Sequence, residues 1–256
     1  MPDDEGKPMT TIAVLGLGEA GGAFARDLVA AGAVVRGYDP AVTAPDGVLD
    51  TGSEAEAAEG ADLVLSVNSA SAAVDALKAG VAAARAWADL NTASPGTKRT
   101  LAAIAAEHSV PFADVAIMAP VPGKGLRVPM LATGDAASRV AELLRPFGAS
   151  VEVVDGPAGL AAERKLLRSV FFKGMSAAVV EALTAARAAG CEDWLRGMIE
   201  DELTRADAAT VERLVTGSYR HAVRRTAEMA AAAEMLAELG VPSDIASATR
   251  DHLSRL

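Results

Sequence analysis

The sequence predicts two domains: an α/β domain built on a doubly wound, mostly parallel sheet, and an all-α C-terminal domain. Three observations carry this prediction. Apolar strand patterns alternate with helical patterns as far as residue 155, as is typical of a parallel sheet with helices on both faces. From there the apolar spacing is helical, and alanine-rich stretches such as "MSAAVVEALTAARAAG" favour close helix packing. We therefore expect a flexible tail over residues 1–9, an α/β domain over 10–155 and a helical domain over 156–256.

The α/β domain is predicted to hold seven strands, each a short apolar run bounded by turn residues. The stretch "TIAVLGLGEAGGAFARDLVAAGAVVRGYD" supplies the first two, separated by a glycine turn and a helix. The other strands are "ADLVLSV", "AWADL", "PFADVAIM", "PMLATG" and "SVEVVD", with helices near 72–86, 97–108 and 136–147.

The helical domain is predicted to begin with one long helix that ends at about Ala189. Asp155 is expected to be its N-cap, with Pro157 in its first turn and Gly190 placed to end it. Four further helices are expected near 193–205, 208–216, 218–239 and 243–254, separated at Gly217, Gly240 and Pro242.

The composition narrows the class of partner. The 256 residues carry a formal net charge of −10, which disfavours nucleic acid and anionic membranes as partners. No apolar run approaches the roughly 20 residues that span a bilayer, and the N-terminus is too polar for a signal peptide, so we expect a cytoplasmic protein. Cys191, the only cysteine, cannot form an internal disulfide, and no metal-ligand spacing is present. A small molecule is the partner class that remains.

Gly16, Gly18 and Gly21 form a GxGxxG turn between the first strand and the first helix, the pattern of a Rossmann-type dinucleotide-binding domain. Such a turn brings the amides of a helix N-terminus to a pyrophosphate. Asp39 closes the second strand, where its carboxylate can accept hydrogen bonds from the adenosine ribose. This carboxylate favours NAD, whereas Arg36 keeps NADP as an alternative. The predicted cofactor-binding residues of the turn are Gly16, Leu17, Gly18, Glu19, Ala20 and Gly21.

Three segments together resemble the β-hydroxyacid dehydrogenases, relatives of 6-phosphogluconate dehydrogenase: the glycine turn, "DLNTASP" and "GPAGLAAERK". The resemblance implies that Thr92 lies near the nicotinamide and that Asn68 and Ser69 lie at the cofactor edge. It also implies that Lys165 is the catalytic lysine. Ser169 stands four residues further on, where the family has an asparagine.

The sequence departs from this pattern at the expected substrate site. Met118, Ala119 and Pro120 stand where the family's serine and two glycines hold the substrate carboxylate. We expect these three residues to line the substrate site, but the departure weakens the expectation of a small 3-hydroxy acid as substrate. Ala161 also replaces a glycine that is usual in the family. The segments "GLGEAGGAFA", "APVP", "RKLLRSVFFKG" and "HAVRR" resemble a subgroup with a little-characterised helical C-terminal domain.

Lys165 falls on one helical stripe with Ser169 and Lys173, with Arg168 at its edge. A lysine beside a reacting oxygen can stabilise negative charge and transfer a proton. Lys165 is therefore the predicted general acid/base, and Ser169 is predicted to help position the same oxygen. Arg168 and Lys173 are predicted to bind an anionic group of the substrate. The alternative interpretation of the stripe is a solvated basic edge.

These observations favour an NAD(P)-dependent oxidoreductase that acts on a hydroxy acid or a related alcohol or carbonyl compound. Two alternatives stay open: an enzyme that resembles imine reductases, and a dinucleotide-binding protein without catalysis. His221 and Arg225 lie one helical turn apart and either face the active site or form a surface pair. The helical domain is too small to bury all its apolar faces, so we expect it to serve substrate binding and homodimerisation.

Overall fold

The computed structural model describes residues 9–256, so residues 1–8 of the predicted flexible tail lie outside the described residues. The chain divides into two compact units, of which the first ends at Arg168 and the second is Ser169–Leu256. The predicted domain boundary at residue 155 follows the last strand. The first unit extends beyond it and includes the first turns of the next helix.

The first unit contains a single sheet whose eight strands have the order β3-β2-β1-β4-β5-β6-β7-β8. Neighbouring strands are parallel except β6 and β7, which are antiparallel. The predicted doubly wound, mostly parallel sheet is therefore confirmed. The strands are β1 (Thr11–Leu15), β2 (Val34–Tyr38), β3 (Leu49–Asp50), β4 (Leu63–Ser66), β5 (Trp87–Asp89), β6 (Phe112–Ile117), β7 (Pro129–Thr133) and β8 (Ser150–Val153).

Side chains from the two faces of the sheet enter two separate apolar clusters, as expected for strands buried on both sides. In β1, Ile12 and Val14 belong to one cluster, and Ala13 and Leu15 belong to the other. The helices that cover the sheet in the first unit are α1 (Glu19–Ala30), α2 (Glu54–Ala58), α3 (Ala73–Gly80), α4 (Pro95–Glu107) and α5 (Ala137–Leu144). The order of the strands reverses between β1 and β4, so the crevice at their carboxyl ends is where such sheets bind ligands.

The rest of the chain is helical, which confirms the predicted all-α C-terminal region. α6 begins in the first unit and ends in the second, and no side chain of α7 or α8 is buried. α10 is capped by the carboxylate of Glu181, which accepts hydrogen bonds from the amides of Ile245 and Ala246 at 2.7 and 2.8 Å. The five helices are α6 (Leu160–Ala188), α7 (Glu192–Arg205), α8 (Ala208–Arg220), α9 (Ala222–Glu238) and α10 (Asp244–Leu253).

Two predicted helix boundaries were wrong. α6 begins at Leu160 and not beside Asp155, because Gly156 and Gly159 have φ angles of +145° and +103°, outside the helical range. α8 continues through Gly217 to Arg220, so this glycine is a helix residue and not a break. The short elements β3 and α2 were not predicted. None of the helices described is both long and apolar enough to cross a bilayer, and the expected cytoplasmic location stays a prediction.

Candidate functional site

The glycine turn lies at the carboxyl end of β1 and leaves space above the first turn of α1. A Cβ added to Gly16 would lie 2.7 Å from Asn68 Cα, and one added to Gly21 would lie 1.8 Å from the Gly16 carbonyl oxygen. Both glycines therefore permit close packing inside the protein. A Cβ at Gly18 would meet no atom within 4 Å. The open space at Gly18 faces the end of a helix, where the first amides have no acceptor within the helix.

Asp39 holds this turn in place through its carboxylate. Its Oδ2 accepts a hydrogen bond from the Leu17 amide at 2.8 Å, and its Oδ1 accepts from the amides of Ala41 and Val42 at 2.8 and 3.0 Å. Burial raises the pKa of Asp39, but the hydrogen bonds from Ala41, Leu17 and Val42 outweigh it, so the pKa lies below its ordinary value. The carboxylate is charged at neutral pH. It ties the end of β2 to the turn after β1.

The turn and Asp39 border a groove of about 390 Å³. Of the sequence-predicted cofactor residues, the groove brings together Gly16, Gly18, Asp39, Asn68 and Ser69. Two further carboxylates, Glu54 and Asp75, also line it and were not predicted. The residues around these two carboxylates do not indicate a binding role. Glu54, for example, has the position of an ordinary first-turn residue of α2, after the N-cap Ser53.

The other predicted residues of the turn have different environments. Leu17 is 3% exposed and belongs to an apolar cluster, and Ala20 packs against the same cluster. Their side chains therefore face the protein interior. Glu19 is exposed in the first turn of α1.

Arg36 makes hydrogen bonds away from the groove lining. Its Nε and Nη2 both donate to the Glu56 carbonyl oxygen, at 3.1 and 2.6 Å. The guanidinium thus holds the middle of β2 against α2.

Lys165 meets Thr92 at the end of β5. Lys165 Nζ donates a hydrogen bond to Thr92 Oγ1 at 2.8 Å. The segment that carries Thr92 leads directly into α4, whose N-cap Ser94 accepts a hydrogen bond from Thr97 N at 3.1 Å, with Pro95 in the first turn. Lys165 is half-buried and Thr92 is exposed, so the pair is open to a ligand.

Asn91 lies between this pair and the groove. Its Nδ2 lies 2.7 Å from Asn68 Oδ1, which lines the groove, and 2.7 Å from Asp89 Oδ2. Asn91 also lines the narrow crevice that contains Thr92 and Lys165. Asn68, predicted at the cofactor edge, and Thr92, predicted near the nicotinamide, therefore both adjoin Asn91, the first through a hydrogen bond and the second along the chain.

A buried charge cluster that was not predicted adjoins the crevice, which Asp114 helps to line. Lys98 Nζ lies 2.5 Å from Asp89 Oδ1 and 3.2 Å from Asp114 Oδ1, and it donates to the Asp89 carbonyl oxygen at 2.9 Å. The contact with Asp114 Oδ1 is an ion pair without hydrogen-bond geometry. Asp114 Oδ2 accepts from the amides of Gly159 and Ala162 at 3.0 and 2.9 Å. In the sequence, Lys98 resembles a solvated lysine near the start of a helix. No feature of the neighbouring residues indicates that it is buried.

The predicted substrate segment offers fewer donors than the family pattern implies. The Met118 amide donates to the Pro129 carbonyl oxygen at 2.8 Å, and Pro120 has no amide hydrogen. The Met118 side chain packs against a small apolar cluster that includes Leu131 and Ala161. Ala119 packs against the main apolar cluster. The serine hydroxyl and paired amides implied by the resemblance therefore have no counterpart at Met118 and Pro120.

The remaining predicted residues lie further along the helical part of the chain. Arg168 is exposed and ends the first unit, whereas Ser169 and Lys173 lie on α6 in the second unit. His221 stands between α8 and α9, and Arg225 Nη1 donates to Ser218 Oγ at 2.9 Å. Their roles stay predictions. Over residues 9–256, no group of three or more His, Cys, Asp or Glu side chains is placed to hold a metal ion.

Comparison with protein families matches both parts of the chain. Residues 11–155 match a model described as the NAD binding domain of 6-phosphogluconate dehydrogenase, and residues 186–256 match a domain of unknown function (DUF1932). A probable 3-hydroxyisobutyrate dehydrogenase from Mycobacterium tuberculosis is 31% identical over 194 residues, which cover 71% of this chain and 66% of that protein. The chain thus spans just under two thirds of this curated relative.

Two solved structures cover almost the whole chain. A conserved protein of unknown function, described as structurally similar to 3-hydroxyacid dehydrogenases, is 28% identical with a TM-score of 0.64, covering 96% of this chain and 97% of that one. Streptomyces aurantiacus imine reductase has a TM-score of 0.79 at 20% identity, covering 96% and 94%. The second likeness is one of fold.

Proposed function

Because this chain belongs to the family that carries the NAD-binding domain of 6-phosphogluconate dehydrogenase, we propose that it is an NAD(P)-dependent oxidoreductase. It transfers hydride between nicotinamide and a hydroxy acid or a related alcohol or carbonyl compound. The observation that carries the proposal is the 2.8 Å hydrogen bond from Lys165 to Thr92, next to the Asn91 and Asn68 pair that borders the groove. Lys165 is the general acid/base.

The groove fits a dinucleotide. The open space at Gly18 and the N-terminal amides of α1 would receive the pyrophosphate, as side-chain-free turns of this kind do. A carboxylate has about four acceptor positions, and Asp39 uses three of them for main-chain amides. The fourth would accept from an adenosine ribose hydroxyl. When bound, the nicotinamide supplies or accepts the hydride.

Lys165 would handle the proton at the substrate oxygen. An ammonium within hydrogen-bond reach stabilises charge that develops on an oxygen and donates a proton to it, and the neutral amine accepts the proton in the reverse direction. Thr92 accepts from Nζ and so directs it. A lysine ammonium carries three N–H donors, one of which donates to Thr92 here. Ser169, one helical turn further on, is proposed to position the same oxygen.

We propose NAD as the preferred cofactor. Asp39, Glu54 and Asp75 all line the groove, and three carboxylates would repel the 2′-phosphate of NADP. The guanidinium of Arg36, the candidate phosphate partner, donates twice to the Glu56 carbonyl oxygen. NADP binding would require these hydrogen bonds to be given up.

Imine reduction is the second candidate. It is favoured by the loss of donors at Met118 and Pro120, because an imine substrate needs no carboxylate-binding amides. The lysine at position 165 counts against it, because the resemblance assigns this lysine to alcohol oxidation and carbonyl reduction. Arg168 and Lys173 are proposed to bind an anionic group on the substrate, which also favours the dehydrogenase.

We propose that the protein forms a homodimer through its helical part. On α8, Val211, Leu214 and Val215 are 63%, 54% and 51% exposed. They line an apolar groove of about 700 Å³ together with Phe171 and Leu203. Neither α7 nor α8 has a buried side chain, whereas soluble monomers rarely expose apolar patches this continuous.

The direct test is to titrate the protein with NADH and NADPH by fluorescence and then to assay pools of hydroxy acids, keto acids and imines for nicotinamide absorbance changes. Lys165→Met should bind NADH normally and lose turnover by about a hundredfold or more. Lys78→Met, which changes an exposed lysine on α3, is the matched control and should behave as the unaltered protein. Normal turnover in Lys165→Met would remove the lysine from the mechanism.

A further inference from the structure

We propose that Lys98, Asp89 and Asp114 form a positioning cluster that sets the distance between Thr92 and Lys165. This inference rests on the proposed function, since it assigns the cluster to the same pair. Asp114 borders the crevice that contains Thr92 and Lys165, but its side chain, like those of Lys98 and Asp89, is withdrawn from solvent. The cluster acts through the backbone and side chains that it holds.

All three charges are withdrawn from water. The Lys98 side chain is 1% exposed, and the side chains of Asp89 and Asp114 are 0% exposed. Burying charges is costly even when they are paired, and apolar residues of similar volume often give equal or greater stability. Lys98 also lies near the N-terminus of α4, where the helix dipole disfavours a cation. Stability alone therefore gives no reason for the charged cluster as a whole.

One arm of the cluster holds the strand that leads to Thr92. Lys98 Nζ binds both the carboxylate and the carbonyl oxygen of Asp89, the last residue of β5. The second carboxylate oxygen of Asp89 lies 2.7 Å from Asn91 Nδ2. These contacts fix the backbone from Asp89 through Asn91, and Thr92 is the next residue.

The other arm holds the start of α6. Asp114 Oδ2 accepts hydrogen bonds from the amides of Gly159 and Ala162, just before and within the first helical turn. Lys165 follows Ala162 by one turn on the same helix, so the Asp114 carboxylate sets the height and rotation of the helix that carries it. Lys98 sits between the two carboxylates. Lys98 therefore links Asp89, which holds the strand before Thr92, to Asp114, which holds the start of the helix that carries Lys165.

The test compares Asp114→Ala and Asp114→Asn with Asp135→Ala. Asn retains an oxygen acceptor for the two amides, and Ala retains none. Asp135 is the matched control, because its Oδ1 accepts a hydrogen bond at 2.7 Å from the amide of Phe112, which lies in β6 with Asp114. Thermal unfolding and NADH-binding stoichiometry identify the folded fraction of each variant.

We expect kcat per folded site to fall about tenfold or more in Asp114→Ala and less in Asp114→Asn, with the Kd for NADH changed by less than twofold. Crystal structures should show the distance from Lys165 Nζ to Thr92 Oγ1 lengthened beyond hydrogen-bond range in Asp114→Ala and unchanged in Asp135→Ala. If Asp114→Ala does not fold, the kcat and the distance from Lys165 Nζ to Thr92 Oγ1 are measured in Asp114→Asn.

The net charge of the cluster allows a second, independent test. Lys98→Met leaves two buried carboxylates without a cation, whereas Lys98→Met combined with Asp114→Asn restores the original net charge of the cluster. The double variant should recover part of the kcat lost in Lys98→Met. Stability losses with an unchanged kcat and an unchanged 2.8 Å contact would overturn the proposal. Full turnover in Lys165→Met would instead refute the proposed function.

Discussion

Lys165 Nζ donates a 2.8 Å hydrogen bond to Thr92 Oγ1, which ties the second turn of α6 to the segment that follows β5. The two residues are 73 positions apart in the chain. The buried cluster of Lys98, Asp89 and Asp114 adjoins them, and Asn91 precedes Thr92 in the chain. We expect substitutions at this pair to change turnover and substitutions in the groove to change cofactor affinity.

The Thr92 hydroxyl should matter to the rate more than to cofactor binding. In Thr92→Val the side chain keeps its volume and loses the acceptor for Lys165, so we expect kcat to fall about tenfold, or about 1.4 kcal/mol in activation free energy. Thr92→Ser keeps the hydroxyl and should retain most activity. Steady-state kinetics of the two variants provide the comparison, and equal rates would show that the hydrogen bond does not orient the lysine.

Alanine substitutions at two glycines of the same turn should affect different properties, stability in one case and NADH affinity in the other. In Gly21→Ala the new Cβ would lie 1.8 Å from the Gly16 carbonyl oxygen, so the free energy of unfolding should fall by about 3 kcal/mol or more. Gly18→Ala meets open space and should keep its stability, but it should weaken NADH binding by about tenfold or more, because the methyl group occupies the space for the pyrophosphate. Urea unfolding and NADH titration separate the two effects. Unchanged NADH affinity in Gly18→Ala would exclude this turn as the pyrophosphate site.

Asp39 should make stability depend on pH. Its pKa in the folded protein is below its ordinary value, so its contribution is complete above about pH 4 and is lost as the pH falls through the folded pKa. At pH 7, Asp39→Ala should lower the free energy of unfolding by about 1 kcal/mol, at the low end for a charged hydrogen-bond acceptor because the group is partly open to water. The difference from the unaltered protein should narrow below pH 4. A gap that stays constant from pH 3 to 7 would contradict the role of the charge.

The exposed face of α8 should control assembly. Val211→Glu places a charge among the apolar residues of the groove, so sedimentation equilibrium should show dissociation at concentrations where the unaltered protein is dimeric. Thr216→Glu, on an exposed position of the same helix, is the control and should leave the dimer intact. A monomeric unaltered protein at micromolar concentration would contradict the proposed homodimer.

Much of the first unit is predictable from its sequence because its signals are local. Alternating apolar runs reveal seven strands, and the spacing of Gly16, Gly18 and Gly21 reveals the turn. β3 was missed because two residues, Leu49 and Asp50, are too few to show a period. The start of α6 was placed too early because Asp155 and Pro157 resemble a helix start, whereas the φ angles of Gly156 and Gly159 depend on the surrounding structure.

The site is predictable only in part, because some of its members are defined by distant contacts. Lys165, Thr92 and Asn68 were predicted because each belongs to a short motif that can be recognised by itself. The burial of Lys98 depends on Asp89 and Asp114, which come from two different strands, and no periodic pattern records such a convergence. The groove carboxylates Glu54 and Asp75 were missed for the same reason.

The hydrogen bond from the Leu17 amide to Asp39 holds the glycine turn through a contact within the protein itself. Because this contact forms within the protein, the conformational entropy of the turn is lost during folding. Ordering of the turn therefore does not reduce the free energy of ligand binding. A loop that is already in its binding conformation can capture a ligand without a preceding rearrangement. The association rate of a dinucleotide should then be governed by diffusion and by the negative charge around the groove, and its dependence on salt should reveal the sign of that field.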